Sequence, residues 1–254
     1  MSLLKMESLS LSFGGIKAVD NISFEVERNE IFTIIGPNGA GKTTLFNLLS
    51  RLYDPSNGRI FLDGEDITSL PAHTIAKRGI ARTFQTIELF ESATVLRNIL
   101  VGCHVHRRSN LLQDLLFLPV VKAAEKTSRL HAEEIMDFLE IHAYRDTLIR
   151  DLPYGIRKIV EIARALCTKP KLLLLDEPSS GLNVEETDDL AFWIGDIKKD
   201  LGITILMIEH DMSLVSTVSD RVLAVNSGKF LFQGTSAEVQ RHPEVIRAYL
   251  GDGI

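Results

Sequence analysis

The segment Gly36-Pro-Asn-Gly-Ala-Gly-Lys-Thr43 constrains the fold of this chain more than any other stretch of the sequence. It matches the pattern G-x-x-x-x-G-K-[ST], it follows the apolar run 31–35, and the helical sequence 44–50 comes directly after it. In this strand–loop–helix setting, glycines allow backbone N–H groups to converge on phosphate oxygens, and the helix N-terminus adds a favourable partial charge. The sequence therefore predicts a phosphate-binding loop within an α/β domain.

Two side chains of this loop are expected to act on a nucleotide and its metal ion. Lys42 would reach the β- and γ-phosphates, and the Thr43 hydroxyl would ligate Mg²⁺. A structural glycine-rich turn is the alternative, which the strand–loop–helix context disfavours. The loop residues predicted to bind ATP are Gly36, Pro37, Asn38, Gly39, Ala40, Gly41, Lys42, Thr43 and Thr44.

A second predicted site lies at the end of the Leu-rich run 171–175, where Asp176 and Glu177 follow each other. Asp176 suits a Mg²⁺ ligand or an acceptor for the waters of that ion, and Glu177 suits a general base for the attacking water. A solvated strand end is the usual role of such an acidic pair. The phosphate loop upstream favours the catalytic interpretation.

Composition and charge restrict the function classes. The chain has 254 residues, with 28 Lys and Arg against 34 Asp and Glu, and a net charge of -6 is the wrong sign for neutralising a phosphate backbone, so no nucleic-acid partner is expected. The two cysteines, Cys103 and Cys167, form no C-x-x-C pair, which disfavours a zinc site or a disulfide framework. Without a signal sequence or an apolar stretch of eighteen residues, the chain is expected to be neither secreted nor membrane-spanning by itself.

The hydrophobic pattern divides the chain into segments. β-type runs occupy 3–13, 22–26, 31–35, 59–62, 171–175 and 203–208, and a hairpin is predicted over 221–232. Helical spacing replaces them between about 86 and 168, notably over 122–140 and 156–167. This block is predicted to be a helical subdomain inserted into the α/β core. The Leu-rich stretch 111–121 within it is predicted to be a local helix-and-turn cluster or, alternatively, a surface that contacts another protein.

The order of further motifs carries a family resemblance: the chain resembles the ATP-binding subunits of ABC transporters over essentially its whole length. Gln85 in Ala-Arg-Thr-Phe-Gln is similar to the Q-loop of that family, and His210 in Ile-Glu-His-Asp to its switch histidine. Leu152-Pro-Tyr-Gly-Ile156 resembles the signature, and the helical sequence 161–166 follows it. The residues that resemble the D-loop are Ser180, Gly181, Leu182 and Asn183.

Within that superfamily the chain looks most like the ATPases of branched-chain amino acid importers of the LivG type. The features that indicate this are the segment Leu-Ser-Phe-Gly-Gly at 11–15, a long insertion around 103–128, Leu-Pro-Tyr-Gly at 152–155 and the ending 245–251. The resemblance implies an α/β phosphate-loop NTPase core with a mostly parallel sheet, an N-terminal antiparallel β subdomain and an inserted helical subdomain. A single domain, 1–254, is expected, with 1–85 and 169–254 as the core and 86–168 as the helical subdomain bearing the signature.

The resemblance also implies roles for individual residues. Gln85 would sense the γ-phosphate and Mg²⁺ while contacting a membrane subunit, and His210 would polarise the γ-phosphate and position the water. Phe13 would stack on the adenine of ATP, a core phenylalanine being its alternative. The expected catalytic residues are Glu177, His210 and Gln85, and the expected Mg²⁺ ligands are Thr43, Gln85 and Asp176.

The signature departs from the usual Leu-Ser-Gly-Gly-Gln of the family. Pro153 replaces the serine and Ile156 the glutamine, although proline fits the first turn of a helix and the helix start still favours an anion. A functional but slower ATPase is expected. The residues expected to contact ATP held by an opposite chain are Leu152, Pro153, Tyr154, Gly155 and Ile156.

The function predicted is that of an ATP-hydrolysing, Mg²⁺-dependent subunit that powers an importer for branched-chain amino acids or related small solutes. The expected partners are a second ATPase subunit, in a homodimer or heterodimer, integral membrane permease subunits and, indirectly, a periplasmic solute-binding protein. The expected location is cytoplasmic, on the inner face of the plasma (inner) membrane. Two alternatives remain: a soluble ABC-type ATPase acting on nucleic acid or ribosomes, which the single phosphate loop and the acidic balance disfavour, and the ATPase of a lipopolysaccharide exporter, which the insertion disfavours.

Overall fold

The computed structural model describes residues 2–106 and 119–250. Most of the Leu-rich stretch 111–121 and the central part of the predicted insertion 103–128 lie outside the described residues, as does Gly251 of the predicted ending. None of the helices in the described part of the chain combines the length and the apolar composition that a membrane span requires.

A four-stranded antiparallel sheet forms near the N-terminus, in the strand order β2-β1-β4-β5. Its strands are β1 (Ser2–Phe13), β2 (Ile16–Glu27), β4 (Asn57–Leu62) and β5 (Glu65–Asp66). Buried and solvent-facing residues alternate along the second half of β2, because one face of the sheet packs on the core while the other meets solvent. This sheet is the predicted N-terminal antiparallel β subdomain.

A six-stranded sheet forms the centre of the molecule, in the order β10-β9-β3-β8-β7-β6. Its strands are β3 (Ile31–Ile35), β6 (Ile80–Arg82), β7 (Leu172–Asp176), β8 (Thr204–Ile208), β9 (Arg221–Asn226) and β10 (Lys229–Gly234). All neighbouring pairs are parallel except the hairpin β9–β10, so the predicted mostly parallel sheet is confirmed. Every residue of β3, β7 and β8 is buried, as expected for parallel strands covered on both faces.

Within residues 2–106 and 119–250, helices cover both faces of this sheet and connect its strands. They are α1 (Lys42–Leu49), α2 (Ala72–Arg78), α3 (Val95–Cys103), α4 (Pro119–Phe138), α5 (Tyr154–Leu166), α6 (Val184–Leu201), α7 (Met212–Val218), α8 (Ser236–Arg241) and α9 (Pro243–Leu250). Helices α3, α4 and α5 lie between β6 and β7 in the chain and pack on one another. The predicted division at residues 86–168 remains a proposal.

The register of the central strands brings three loops to one edge of the sheet. In β8, Ile208 pairs with Asp176 of β7 on one side and with Ile34 of β3 on the other. The carboxyl ends of these parallel strands are therefore aligned, which is where ligands bind in open α/β sheets. The phosphate loop, the acidic pair and the segment with His210 each begin at this edge.

Candidate active site

The predicted phosphate loop runs from the end of β3 to the start of α1. Gly41 is the N-cap of α1 and has a φ of 96°, in the left-handed region that favours glycine. A Cβ atom on Gly41 would lie 2.3 Å from the carbonyl oxygen of Ala18, and one on Gly36 would lie 2.3 Å from that of Val225. Both positions therefore need glycine for backbone to approach backbone, and the loop is held in a fixed shape.

Lys42 extends from the first turn of α1 back into this loop. Its Nζ donates to the carbonyl oxygens of Gly36 at 2.7 Å and Pro37 at 3.1 Å. Burial lowers the pKa of the Lys42 ammonium, and the negative charges of Glu177 and Asp176 oppose that shift. A cation held among carbonyl oxygens at the mouth of a glycine loop can exchange those weak partners for phosphate oxygens. Thr43, next in the helix, is exposed, so its hydroxyl is open to a ligand.

Asp176 ends β7 and is only 3% exposed. Burial raises the pKa of its carboxyl group, and the Arg82 guanidinium, whose Nη2 donates to Oδ2 at 2.9 Å, opposes that shift. Thr83 follows Arg82 and lies with its Oγ1 3.5 Å from the backbone nitrogen of Asp176. The structure therefore places the predicted metal ligand beside a buried cation that the sequence did not indicate.

Glu177 has a φ of 49°, which is unusual for a residue other than glycine and costs roughly 1–2 kcal/mol. Its backbone nitrogen donates to the oxygen of Ile208 at 2.9 Å, which holds the turn in place. Strain of this kind persists where the surrounding structure imposes it, often at functional sites. The turn changes the direction of the chain directly after the buried strand β7.

The carboxylate of Glu177 brings together two residues predicted from separate motifs. Gln85 Nε2 donates to Glu177 Oε2 at 2.8 Å, and His210 Nδ1 lies 3.8 Å from the same oxygen. The His210 side chain is more than half exposed, whereas that of Glu177 is mostly buried. The structure therefore assembles Gln85, Glu177 and His210 at one point, next to the end of the phosphate loop's strand.

Glu209 is a fully buried carboxylate whose role the sequence interpretation missed. Its Oε1 accepts from the backbone nitrogen of Ser179 at 2.8 Å, and its Oε2 accepts from those of His210 at 2.9 Å and Asp211 at 3.2 Å. Glu209 thus joins the loop after β7 to the loop after β8. The available sequence signal was an acidic residue at the end of a buried strand, directly before the histidine.

Lys158 is a second missed group, buried within α5. Its Nζ donates to the backbone oxygen of Glu177 at 3.4 Å and lies 5.9 Å from the centre of the Tyr154 ring. Burial lowers the pKa of this ammonium, and four nearby carboxylates, that of Glu161 first, oppose the shift. A cation of the signature helix therefore contacts the turn that carries the predicted base.

Phe13 lies at the end of β1 and is 45% exposed, so it is not part of the core. The centre of its ring lies 5.2 Å from that of the Tyr53 ring, in a T-shaped arrangement with an angle of 72° between the ring planes. An exposed aromatic face at this strand end can stack on a nucleobase. The structure is thus compatible with the predicted adenine contact.

The signature segment begins α5, with Pro153 as an N-cap that supplies no side-chain cap. Leu152 is buried, Ile156 packs against the core beside it, and Tyr154 is exposed. The first N–H groups of a thirteen-residue helix are therefore left without a side-chain acceptor from the cap, which suits an anion.

The signature contacts the D-loop segment of the same chain. A Cβ on Gly181 would lie 2.8 Å from the Tyr154 ring, and a Cβ on Gly155 would lie 2.5 Å from the Glu186 carboxylate. Asn183 caps α6 by accepting from the backbone nitrogen of Glu186 at 3.0 Å. Within the D-loop segment, Ser180 donates its backbone N–H to the Glu177 oxygen at 3.1 Å, and Leu182 to the Ser179 oxygen at 3.0 Å.

The donor set of the site fits Mg²⁺ delivered with a nucleotide. Its oxygens come from the Thr43 hydroxyl, the Gln85 amide and the Asp176 carboxylate, which are hard ligands. Within the described ranges, no group of three His, Cys, Asp or Glu side chains is arranged to hold a metal ion by itself. Mg²⁺ is commonly bound by one or two carboxylates plus substrate phosphates, and a single carboxylate with two neutral oxygen donors is compatible with that mode of binding.

Comparison with known proteins gives concordant results. A family model described as "ABC transporter" matches residues 19–180, and one described as "Branched-chain amino acid ATP-binding cassette transporter" matches residues 231–254. The chain is 40% identical over 250 residues to the high-affinity branched-chain amino acid transport ATP-binding protein BraF of Pseudomonas aeruginosa, covering 98% of each chain. It is 41% identical, with the same coverage, to the protein of that description named LivG from Salmonella typhimurium.

Solved structures and a more distant relative extend the comparison. The ADP conformation of an ATP-binding cassette of an ABC transporter has a TM-score of 0.87 and 32% identity, covering 99% of this chain and 100% of that one. The lipopolysaccharide export system ATP-binding protein LptB of Haemophilus influenzae is 35% identical over 252 residues, with 99% of this chain and 98% of that protein covered. The predicted phosphate-loop fold with its two sheets and helices is confirmed by the structural match.

Proposed function

Because this chain belongs to the ABC transporter family of ATP-binding proteins, we propose that it hydrolyses ATP to power the import of branched-chain amino acids or related small solutes. The family predicted from the order of the motifs is confirmed by the match over residues 19–180. It is also confirmed by relatives whose alignments cover 98% of the chain at 40% and 41% identity. ATP binding and hydrolysis follow from the family. The Mg²⁺ dependence, the solute and the residue roles are proposals.

One observation supports hydrolysis at this site most directly: Gln85 and His210 converge on the Oε2 atom of Glu177. A base needs an oriented carboxylate, and the hydrogen bond from the amide provides that orientation. The imidazole at 3.8 Å is near enough to share a water or a phosphate oxygen with the carboxylate. Glu177 would accept the proton of the attacking water, while His210 would hold the water in line with the γ-phosphate.

The phosphate loop would bind and orient the nucleotide. Backbone N–H groups of residues 36–44 would donate to the phosphates, and Lys42 would exchange its two carbonyl partners for β- and γ-phosphate oxygens. Phe13 would stack on the adenine. Mg²⁺, held by Thr43, Gln85 and Asp176 when bound, would neutralise charge that develops on the phosphates.

We propose that the active unit is a dimer in which the signature of one chain closes over ATP bound to the other. In residues 152–156, the backbone N–H groups at the start of α5, which Pro153 leaves without a side-chain cap, would face the γ-phosphate. Residues 180–183 would contact the opposite chain. The absence of the usual serine hydroxyl and glutamine at Pro153 and Ile156 supports a slower turnover. The second chain would be an identical or a related ATPase subunit.

Beyond the dimer, we propose integral membrane permeases as partners, with this chain bound to them at the inner face of the plasma membrane. A periplasmic binding protein would supply the permeases with solute. Two observations support the branched-chain assignment: the family model over residues 231–254 and the printed function of the 40% and 41% identical relatives. The lipopolysaccharide alternative is supported by a relative of only 35% identity. A nucleic-acid or ribosome-associated function gains no support from these matches.

Glu177→Gln tests the catalytic proposal. The amide keeps the hydrogen-bonding shape but cannot accept the proton, so hydrolysis of Mg²⁺-ATP should fall by on the order of 10²–10⁴. ATP binding, measured by calorimetry, should persist, and an ATP-bound dimer should accumulate on size-exclusion chromatography. Glu185→Gln serves as the matched control, because it makes the same carboxylate-to-amide substitution at an exposed position of α6. Wild-type turnover by the Glu177 variant would assign the base to another residue, with His210 the next candidate.

The solute is tested by transport. Cells that lack their own branched-chain importer ATPase, but keep its permeases and binding protein, would express this chain or its Glu177→Gln variant. Restored uptake of labelled leucine by the wild-type chain alone supports the proposal. ATPase activity in the purified chain without any restored uptake, under conditions where the resident ATPase restores it, would contradict the assignment of the solute class.

A further inference from the structure

Arg82 is a buried arginine that contacts the carboxylate expected to meet Mg²⁺. Its side chain is 8% exposed and that of Asp176 is 4% exposed, and Nη2 donates to Oδ2 at 2.9 Å. Its Nη1 donates to Asn47 Oδ1 at 2.8 Å and to Ser50 Oγ at 3.2 Å, both in or directly after the helix of the phosphate loop. The guanidinium therefore connects α1 to the end of β7.

Two aromatic rings fix the position of this guanidinium. Its central carbon lies 5.6 Å from the centre of the Phe46 ring and 5.2 Å from that of the Phe84 ring. Cation–π contacts of this length are favourable, and more so where water is excluded. Arg82 is thus held beside Asp176 by α1, by β7 and by two rings at once.

We propose that Arg82 is the counter-ion that keeps a divalent cation off Asp176 in the nucleotide-free chain, so that the metal enters only together with the phosphates. Asp176 and Glu177 are adjacent carboxylates that would attract a divalent cation. Lys42 and Lys158 also lie near them, but of these three cations it is Arg82 that hydrogen-bonds the Asp176 carboxylate directly. This inference rests on the proposed role of Asp176 as a Mg²⁺ ligand. It assigns Arg82 as a positioning residue that makes metal binding conditional on nucleotide.

The sign of the effect follows from charge and burial. A cation 2.9 Å from a carboxylate oxygen repels a second cation on the same group, and groups this buried are screened little by salt. A bound triphosphate adds several negative charges next to the same point, which reverses the balance. Metal affinity should therefore be low without nucleotide and high with it.

Arg82 also orients Asp176, and losing that orientation would weaken metal binding. This opposing effect is the smaller one. Asp176 ends a strand in which all residues are buried, so packing restricts its short side chain even without the guanidinium. Replacing the arginine by lysine separates the two effects, because lysine keeps the charge and loses the planar fork.

The test measures Mn²⁺ binding to the nucleotide-free chain by the electron paramagnetic resonance signal of free Mn²⁺. Arg82→Gln and Arg82→Met should each bind Mn²⁺ at least tenfold more tightly than the wild type. A tenfold change in Kd corresponds to about 1.4 kcal/mol of binding free energy. Methionine keeps an unbranched stem between Phe46 and Phe84 and decides the test if the glutamine variant fails to fold. Arg82→Lys should stay within about twofold of the wild type, as should Arg78→Gln, an exposed arginine that changes the net charge equally.

A second set of variants identifies the site and separates this inference from the proposed function. Adding Asp176→Asn to Arg82→Gln should abolish the gained affinity; a gain that persists would place the cation elsewhere and overturn the inference. Unchanged or weaker Mn²⁺ binding in the folded neutral variants would overturn it as well. The Mg²⁺ role of Asp176 is judged independently, because it predicts that Asp176→Asn alone weakens Mn²⁺ binding in the presence of ATP.

Discussion

Replacing Glu209 by glutamine is the sharpest test of how the two catalytic loops are held together. The carboxylate accepts three backbone hydrogen bonds, one on Oε1 from Ser179 and two on Oε2 from His210 and Asp211. A glutamine has one oxygen to accept with and an NH₂ group that only donates. If the oxygen faces His210 and Asp211, the NH₂ group faces the N–H of Ser179, and two donors oppose each other in a fully buried place.

The magnitude follows from the lost acceptor. A hydrogen bond to a charged group is worth about 1.5–3 kcal/mol, and a buried donor left without an acceptor costs a similar amount. For 254 residues the entropy of unfolding is roughly 0.5 kcal/mol/K, so Glu209→Gln should lower the Tm by roughly 3–6 °C. Glu209 contacts the segments that follow Glu177 and that contain His210, so kcat should fall further than the affinity for ATP.

Differential scanning calorimetry and steady-state ATPase kinetics measure both effects. Glu238→Gln is the matched control, because Glu238 also accepts a backbone N–H, from Thr235 at 2.7 Å, but is exposed at a helix start away from the site. The control should shift the Tm less and leave kcat unchanged. A Glu209→Gln chain whose Tm and kcat both match the wild type would refute the reasoning that this carboxylate aligns the two loops.

Three further substitutions have expected outcomes. Lys42→Ala should abolish high-affinity ATP binding in calorimetry, because the ammonium that faces the phosphates is lost; wild-type affinity would contradict the assignment of the loop. Gly155→Asp should lower the Tm as well as the ATPase rate, because the new carboxylate meets that of Glu186; an unchanged melting curve would argue against the contact. Gly195→Ala, within α6 and with no atom within 4 Å of the added methyl, should stabilise the chain by about 0.5–1 kcal/mol, and a lower Tm would show a hidden clash.

The strongest local patterns of the sequence predicted most of the fold. The apolar runs at 31–35, 171–175 and 203–208 correspond to β3, β7 and β8, because strands buried on both faces need nearly continuous apolar residues. The hairpin predicted over 221–232 corresponds to β9 and β10. Strand β6, with three residues, was not predicted, because so short a segment has no measurable period.

Each sequence motif predicted its own candidate residues of the site, independently of the other motifs. The pattern 36–43 indicated the phosphate loop because a local backbone shape and its glycines follow from neighbouring residues. The acidic pair after the apolar run 171–175 indicated Glu177, and the order of the remaining motifs indicated Gln85 and His210. A local motif does not predict the distance between side chains that belong to different loops.

Only the tertiary structure decided which groups meet at the carboxyl edge of the central sheet. Arg82 and Asp176 are 94 positions apart, and Glu209 and Ser179 are 30 apart, yet each pair is joined by a direct hydrogen bond. By sequence alone, Arg82 is a basic residue within Ala-Arg-Thr-Phe-Gln at 81–85, and Glu209 is an acidic residue at a strand end. Both become buried and paired because parallel strand pairing aligns the ends of β6, β7 and β8, and a charge removed from water must find a partner within that packing.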